Sequence, residues 1–249
     1  MPKIYIVVGS YYGGDRLQSF LKLVRSCTFP DFAIVMNEQR GDDTRQPSGF
    51  SRIYNPLVEC ALADKNCETV ILCNDDILPT PGCLETIVDT LNADPTLGAV
   101  SPAMVWLDKG IPTTVEGLAN GEYRYVPISE FKGGTEELVF AGFGCVAIRA
   151  EAWRATGPMD DSIGRAYAED LDWGIRCWKA GYRILAQRNV WFLHEMGGTF
   201  SKLQAEGKFG ETEGTEAAER CQVKYPFLWR EPPALTLARC RAWYLDKRS

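Results

Sequence analysis

No stretch of this 249-residue chain approaches the roughly eighteen consecutive apolar residues that a bilayer-spanning helix needs, so none is expected. The start of the chain has only a short apolar run, residues 4–8, without the longer hydrophobic stretch and small-residue cleavage site of a secretory signal. A cytoplasmic protein, at most peripheral to a membrane, is the expectation. Histidine is almost missing: His194 is the only one, which excludes a multi-histidine zinc site. The nine cysteines (Cys27, Cys60, Cys67, Cys73, Cys83, Cys145, Cys177, Cys221, Cys240) form no Cys-x-x-Cys pair. An odd, scattered set fits reduced thiols better than a disulfide framework or a structural zinc. Basic charge is also short. With 27 Lys and Arg against 33 Asp and Glu, a net charge of -6 opposes a broad nucleic-acid-binding surface, because phosphate contacts supply most of that affinity. The cluster Arg239, Arg241, Lys247 and Arg248 near the end of the chain reads as a solvated tail, or as a local patch for an anionic surface.

What is present is ordinary globular material. A hydrophobic content of 45% and a charged content of 24% suit one large α/β domain with an appended tail. Residues 4–9 read as a strand, and a helix capped by Asp15 runs to about Cys27 with Leu17, Phe20, Leu21 and Val24 on one face. A second strand over 32–36 precedes a long polar loop, residues 37–51, of the kind that is usually functional. A helix is expected from Leu57 to Ala63, begun near Pro56. Residues 69–73 form a continuous apolar run, as in buried parallel strands, and the run stops at Asn74-Asp75-Asp76. A helix over 84–92 and a strand over 98–106 follow. Residues 108–134 are turn-rich and read as a short antiparallel excursion, and residues 139–148 as an apolar strand interrupted by Gly142 and Gly144. A helix over 168–180, short strands over 183–186 and 190–193, and a helix over 216–224 complete the pattern. These βα units predict a mostly parallel sheet with helices on both faces, which binds ligands at the carboxyl ends of its strands.

Three groups of residues carry chemistry. Asn74-Asp75-Asp76 sits at such a carboxyl end, where carboxylates can hold a hard divalent cation against the charge developing on a diphosphate. Taken alone, two acids in a turn are ordinary turn formers. Glu169 and Asp170 open a helix, where acids are stabilised by free N–H groups and the helix dipole. The functional alternative is that one of them takes the proton from an acceptor hydroxyl. Leu171, Ile175 and Trp178 on the same helix are core by their spacing, and Asp172 and Arg176, four apart, are expected to pair on the surface. His194 follows an apolar strand. A lone histidine there is more often structural, but a neutral imidazole can also complete an oxygen-based metal shell.

The order of these pieces is informative. The run from Ile6 to Tyr11, then Val70 to Asp76, Phe140 to Arg149, Gly157-Pro158-Met159-Asp160, Glu169 to Tyr182 and finally His194 resembles glycosyltransferase family 2 over about residues 3 to 200. The acidic helix ending in Trp178-Lys179-Ala180-Gly181-Tyr182 is its most specific part. The resemblance implies a GT-A fold, a nucleoside-diphosphate sugar donor, a divalent metal (Mn2+ or Mg2+) and inversion at the anomeric carbon in one displacement. It makes Asp76 the metal-binding end of an Asp-x-Asp motif, Asp75 a ribose- or metal-side partner, Asp170 the base with Glu169 beside it, and His194 a third metal ligand. Ser10 and Tyr11 fall where the family frames the nucleotide, and Trp173 is also taken as a substrate contact. Asn74 departs from the family, which usually has an acid there, although an amide keeps an acceptor oxygen. Asn37 and Glu38 stand where relatives place an acid pair that holds the base, and Asp42, Asp43 or Arg45 are the candidates to compensate.

The expected protein is therefore a metal-dependent inverting glycosyltransferase acting on a hydroxyl-bearing acceptor: a glycan, a lipid-linked sugar, a protein or, less favoured, a modified nucleic-acid base. Its expected organisation is a catalytic domain over 1–200, with a nucleotide-sugar half to about 106 and an acceptor half from 107, and a C-terminal helical, aromatic-basic extension over 201–249 that covers the acceptor side or mediates homo-oligomer formation. Two rivals remain at this stage. A nucleotidyltransferase would need a triphosphate loop, of which Gly13-Gly14-Asp15-Arg16 is a faint version, and a non-catalytic sugar-nucleotide or glycan-binding module would suit Asn74.

Overall fold

A computed structural model of the chain describes residues 3–10, 14–28, 31–38, 49–108, 111–117, 123–194, 205, 207, 210 and 212–249. Its elements in chain order are β1 (Ile4–Ser10), α1 (Gly14–Arg25), β2 (Phe32–Glu38), α2 (Phe50–Leu62), β3 (Thr69–Asn74), β4 (Ile77–Pro79), α3 (Cys83–Ala93) and β5 (Leu97–Asp108). Then come β6 (Ile111–Gly117), β7 (Tyr123–Pro127), β8 (Thr135–Glu137), β9 (Cys145–Arg149), α4 (Ala150–Thr156), α5 (Glu169–Lys179), β10 (Arg183–His194), α6 (Glu213–Lys224) and α7 (Pro233–Arg248). The central sheet has the order β2-β1-β3-β9-β5-β10-β4. β1 pairs in parallel with β2 and β3, and β5 with β10, whereas β9 lies antiparallel between β3 and β5 and β4 antiparallel beside β10. Five strands thus run one way and two against them, a mostly parallel sheet. The excursion after β5 is the antiparallel β5-β6-β7 meander.

Alternation along the strands divides the interior into two cores. Val70 and Leu72 of β3 face one and Ile71 and Cys73 the other, so the strand is buried on both faces and reads as a continuous apolar run. The first core packs under α2, α4, α5 and the C-terminal helices, with Cys221, Leu228 and Cys240 inside it. The second packs under α1 and α3, where Leu17, Phe20, Leu21 and Val24 form the buried face of α1. Seven of the nine cysteines are buried, Cys27 is partly covered and Cys60 exposed, and all nine are free thiols.

Several elements differ from the sequence reading. α2 starts at Phe50, not near Pro56, because Phe50 stacks on Tyr54 with ring centroids 4.2 Å apart and its N–H donates to the Arg165 carbonyl at 2.6 Å. Pro56 is accommodated inside the helix. Of residues 139–148 only 145–148 are strand, as part of β9. Residues 139–144 instead lie against α5, where a Cβ on Gly174 would come within 2.6 Å of Phe140 Cβ and 2.7 Å of the Val139 carbonyl. That approach takes those residues away from strand pairing. The two short strands expected after Arg183 are one, β10, with an irregularity between Gln187 and Trp191. The Asp172–Arg176 pair is not on the surface: Asp172 is fully buried, accepting from Arg176 Nε at 2.8 Å and Tyr225 Oη at 2.8 Å, with Lys224 Nζ at 2.6 Å. α6 begins at Glu213, three residues before the expected start. Three of the four tail cations are engaged internally, Arg241 with Glu137 at 2.7 Å, Arg239 with Glu231 at 2.6 Å, and Arg248 with the Gly181 carbonyl at 3.3 Å. No helix among the described residues is long and apolar enough to cross a membrane.

Candidate active site

β3 delivers Asn74 to the sheet edge and the chain turns at once into β4. The turn is held from both sides: the Asn74 N–H donates to the Gly144 carbonyl at 2.9 Å, and the Tyr54 hydroxyl lies 2.8 Å from the Cys73 carbonyl and 3.1 Å from Asn74 Oδ1. Burial holds the Tyr54 phenol well above its ordinary value, so it stays a donor. Asp75 is 9% exposed and its Oδ2 accepts a short hydrogen bond from Ser10 at the end of β1. Burial raises the Asp75 carboxyl, the Ser10 bond and the Arg16 charge oppose this, and the neighbouring Asp76 adds to it. Asp75 is thus turned toward β1, away from the partner of Asp76.

Asp76 meets His194 because β4 and β10 pair antiparallel with Ile77 opposite His194. Asp76 Oδ1 and His194 Nε2 are 3.1 Å apart. Two adjacent ligands of an octahedral ion with bonds of about 2.1 Å stand about 3 Å apart, so this oxygen–nitrogen pair has the spacing and chemistry of two ligands to a Mg2+- or Mn2+-sized cation. Among the described residues no group of three or more His, Cys, Asp or Glu forms a closed metal cluster. The remaining ligands would have to be diphosphate oxygens or water.

Across the cleft, Glu169 and Asp170 open α5. The helix starts from two left-handed residues, Tyr167 (φ 70°) and Ala168 (φ 63°), with no side-chain cap, so the first-turn acids face the free N–H groups. Asp170 Oδ1 accepts from the Leu171 N–H at 2.8 Å. Glu169 is 8% exposed, and its Oε2 is buried without a hydrogen-bond partner among the described residues. Burial raises both carboxyls, Glu169 further because Asp170 adds a like charge, and the backbone hydrogen bonds only partly oppose it. Two adjacent sealed carboxyls are costly to ionise together, so the pair titrates as a unit above the ordinary carboxylate range.

Asn74, His194, Glu169 and Asp170 meet in one cleft of about 290 Å3 with walls that include Phe50, Phe143, Phe192, Met104 and Tyr125. Asn37 is at the carboxyl end of β2, opposite Gly9 in register, and does not line it. Tyr11 and the candidates Asp42, Asp43 and Arg45 lie outside the described residues. Trp173 is not brought to the cleft. It is 1% exposed, lies 5.5 Å from Trp153 and 5.8 Å from Phe143 by ring centroid, and donates from Nε1 to the Gly157 carbonyl at 3.1 Å. It follows the acidic pair by three and four positions on the same helix face, one turn further on, where Trp153 and Phe143 pack against it. Sequence reasoning missed Tyr54, Phe50, Met104 and Tyr125. None carries a motif, and only the helical spacing of Phe50, Tyr54 and Val58 was a usable signal.

A sheet of this order, with an acidic turn after β3 facing a histidine and an acidic helix start across a cleft, defines a GT-A type glycosyltransferase fold. Solved structures agree. GalNAc-T7, determined with UDP, GalNAc and Mn2+, is similar at a TM-score of 0.57 and 12% identity over 77% of this chain and 43% of that one. A197 from STIV is similar at a TM-score of 0.50 and 15% identity over 79% of this chain and 86% of that one. The family model described as glycosyl transferase family group 2 matches residues 69–231, and the chain belongs to that family. It spans less than half the length of the GalNAc-T7 chain. Comparison with curated proteins gave no match.

Proposed function

We propose that the chain transfers a sugar from a nucleoside-diphosphate donor to an acceptor hydroxyl with inversion, using Mn2+ or Mg2+. The observation that carries this reading is one cleft lined by His194, whose Nε2 stands 3.1 Å from Asp76 Oδ1, and by Glu169 and Asp170. Asp76 and His194 would hold the cation, which when bound neutralises the charge developing on the departing diphosphate. Ser10 and Asp75 frame the nucleotide side, and Asn74, fixed by Tyr54, presents its amide to the cleft. Asp170 takes the proton from the acceptor hydroxyl as its oxygen bonds to the anomeric carbon, and the electron pair of the breaking C–O bond leaves with the nucleoside diphosphate. The relative solved with UDP and Mn2+ supports a similar donor and ion here. The proposed organisation is a donor side built on β1 to β5 and an acceptor side built on the later elements with the C-terminal helices.

The test is a mass-spectrometric screen of nucleotide sugars for hydrolysis with Mn2+ or Mg2+ present. Release of free sugar and nucleoside diphosphate from one donor, abolished by EDTA and restored by added Mn2+, is the expected result. Turnover indifferent to EDTA, or release of pyrophosphate, overturns it. The anomeric configuration of the first-formed product, read by NMR, decides inversion.

A further inference from the structure

A second cavity, of about 240 Å3, also has Asp170 in its wall. Phe140, Tyr167 and Asp170 line both it and the larger cleft, so the two spaces adjoin at these three residues. Its remaining wall comes from Ala168 and Leu171 of the α5 start, Gly214 and Ala218 of α6, and Trp229. All three non-glycine residues with left-handed backbone among the described residues, Tyr167 (φ 70°), Ala168 (φ 63°) and Trp229 (φ 59°), line this one cavity. L-residues adopt that conformation only where the surroundings hold them in it, and such positions concentrate at ligand sites. Gly214 is shaped to the same end: a Cβ there would stand 3.2 Å from Tyr167 Cδ2, so its absence lets the tyrosine ring lie against α6.

The lining has a definite chemistry. Three aromatic residues, Phe140, Tyr167 and Trp229, line it, and among the described lining residues Asp170 is the only carboxylate and none is Lys or Arg. A phosphorylated acceptor would meet a carboxylate without a compensating cation. A neutral ring with an apolar face and a free hydroxyl would meet aromatic stacking surfaces and a hydrogen-bond acceptor.

Resting on the sugar-transfer reading, we propose that this cavity is the acceptor subsite and that it takes a neutral pyranose, one face on Trp229 and Tyr167 and one hydroxyl directed at Asp170. The donor sugar then occupies the larger cleft, which also has Asp170 in its wall. In the transfer the acceptor O–H bond breaks, its proton goes to Asp170, the oxygen bonds to the donor anomeric carbon, and the C–O bond to the diphosphate breaks with its electrons on the diphosphate.

Saturation-transfer NMR with a panel of methyl hexopyranosides (gluco, galacto, manno and N-acetylglucosamine) tests binding without turnover. At least one member should receive saturation from the full chain. The signal should fall by about three- to tenfold in Trp229→Ala, the range expected for one aromatic contact, and also in Gly214→Leu, which fills the cavity, while Trp229→Phe retains it. Circular dichroism and thermal melts confirm folding of each variant. No saturation with any panel member, or equal saturation in wild type and both cavity variants, overturns the proposal, as does loss of signal in Trp229→Phe equal to that in Trp229→Ala. Donor hydrolysis is measured separately with water as acceptor. Its absence alongside intact pyranose binding would sink the transferase reading, whereas its presence without pyranose binding would sink only the subsite.

Discussion

Asp170 and Glu169 are neighbours in sequence, but the proposed function gives them different work. Asp170 lines both cavities and can accept a proton only once ionised, and burial places that ionisation above the ordinary carboxylate range. Donor hydrolysis is therefore expected to rise with pH through a range higher than that of a free aspartate, and a rate profile that is flat there would contradict the assignment. Asp170→Asn keeps the shape and removes the proposed base, so the rate should fall by about 10²- to 10⁴-fold with the melting temperature held or raised. His194→Ala takes away the nitrogen 3.1 Å from Asp76. Its expected signature is a shift of at least about tenfold in the Mn2+ concentration for half-maximal hydrolysis, which a purely structural histidine would not produce.

At the scale of elements, α5 is the part that positions the chemistry. Its approach to residues 139–144 is possible only because position 174 has no side chain, and a methyl group there collides with backbone and Phe140. Gly174→Ala is expected to cost about 1–3 kcal/mol as overpacking, lowering Tm by roughly 2–12 °C. It should also lower donor hydrolysis in the folded fraction, since α5 must shift and carries Asp170 with it. The other end of the arrangement is Asp172, which ties α5 to α6 through Tyr225 and Lys224 while holding Arg176, itself bonded to the Thr156 and Pro158 carbonyls. Asp172→Ala leaves a guanidinium and a buried phenol without their acceptor. A loss of about 3 kcal/mol is expected, with the C-terminal helices becoming more sensitive to limited proteolysis. Unchanged Tm and cleavage pattern would show that the network contributes little.

For the whole molecule, stability should depend on pH in two opposite ways. Glu169 and Asp170 are raised in the folded state, so it binds more protons than the unfolded chain above the ordinary carboxylate range, and their contribution is lost as pH rises through the raised values. Asp160 is the reverse case. Lys224, aided by Ser162, lowers it to about 2, so its contribution is present above the ordinary carboxylate value and is lost as pH falls toward the lowered one. Melts across pH should show a maximum between these limbs, and Glu169→Gln should flatten the alkaline side and leave the acid side as it was. Parallel curves for wild type and variant would rule out Glu169 as the source of the alkaline decline.

Much of this was legible in the chain. The continuous run before Asn74 announced a strand buried on both faces, the spacing of Leu17, Phe20, Leu21 and Val24 announced α1, and the acidic start of α5 stood out as a helix N-terminus, because local periodicity and helix-end electrostatics act over a few residues. Residues 139–144 were not legible. Their apolar content suited a strand, and only the close passage of α5 over them made them a cleft wall. Trp173 was not legible either: it shares the helix face of the acidic pair, and only the packing of Trp153 and Phe143 one turn along places it in the core. The sequence by itself therefore determined the βα alternation and the identity of the acidic groups, both properties of short segments. The tertiary structure decided which acids face which partners: Asp76 with His194 across the β4–β10 register, Asp75 with Ser10, and Asp170 in the walls of two cavities, since pairings 65 and 118 residues apart depend on sheet register and helix packing rather than on any local preference.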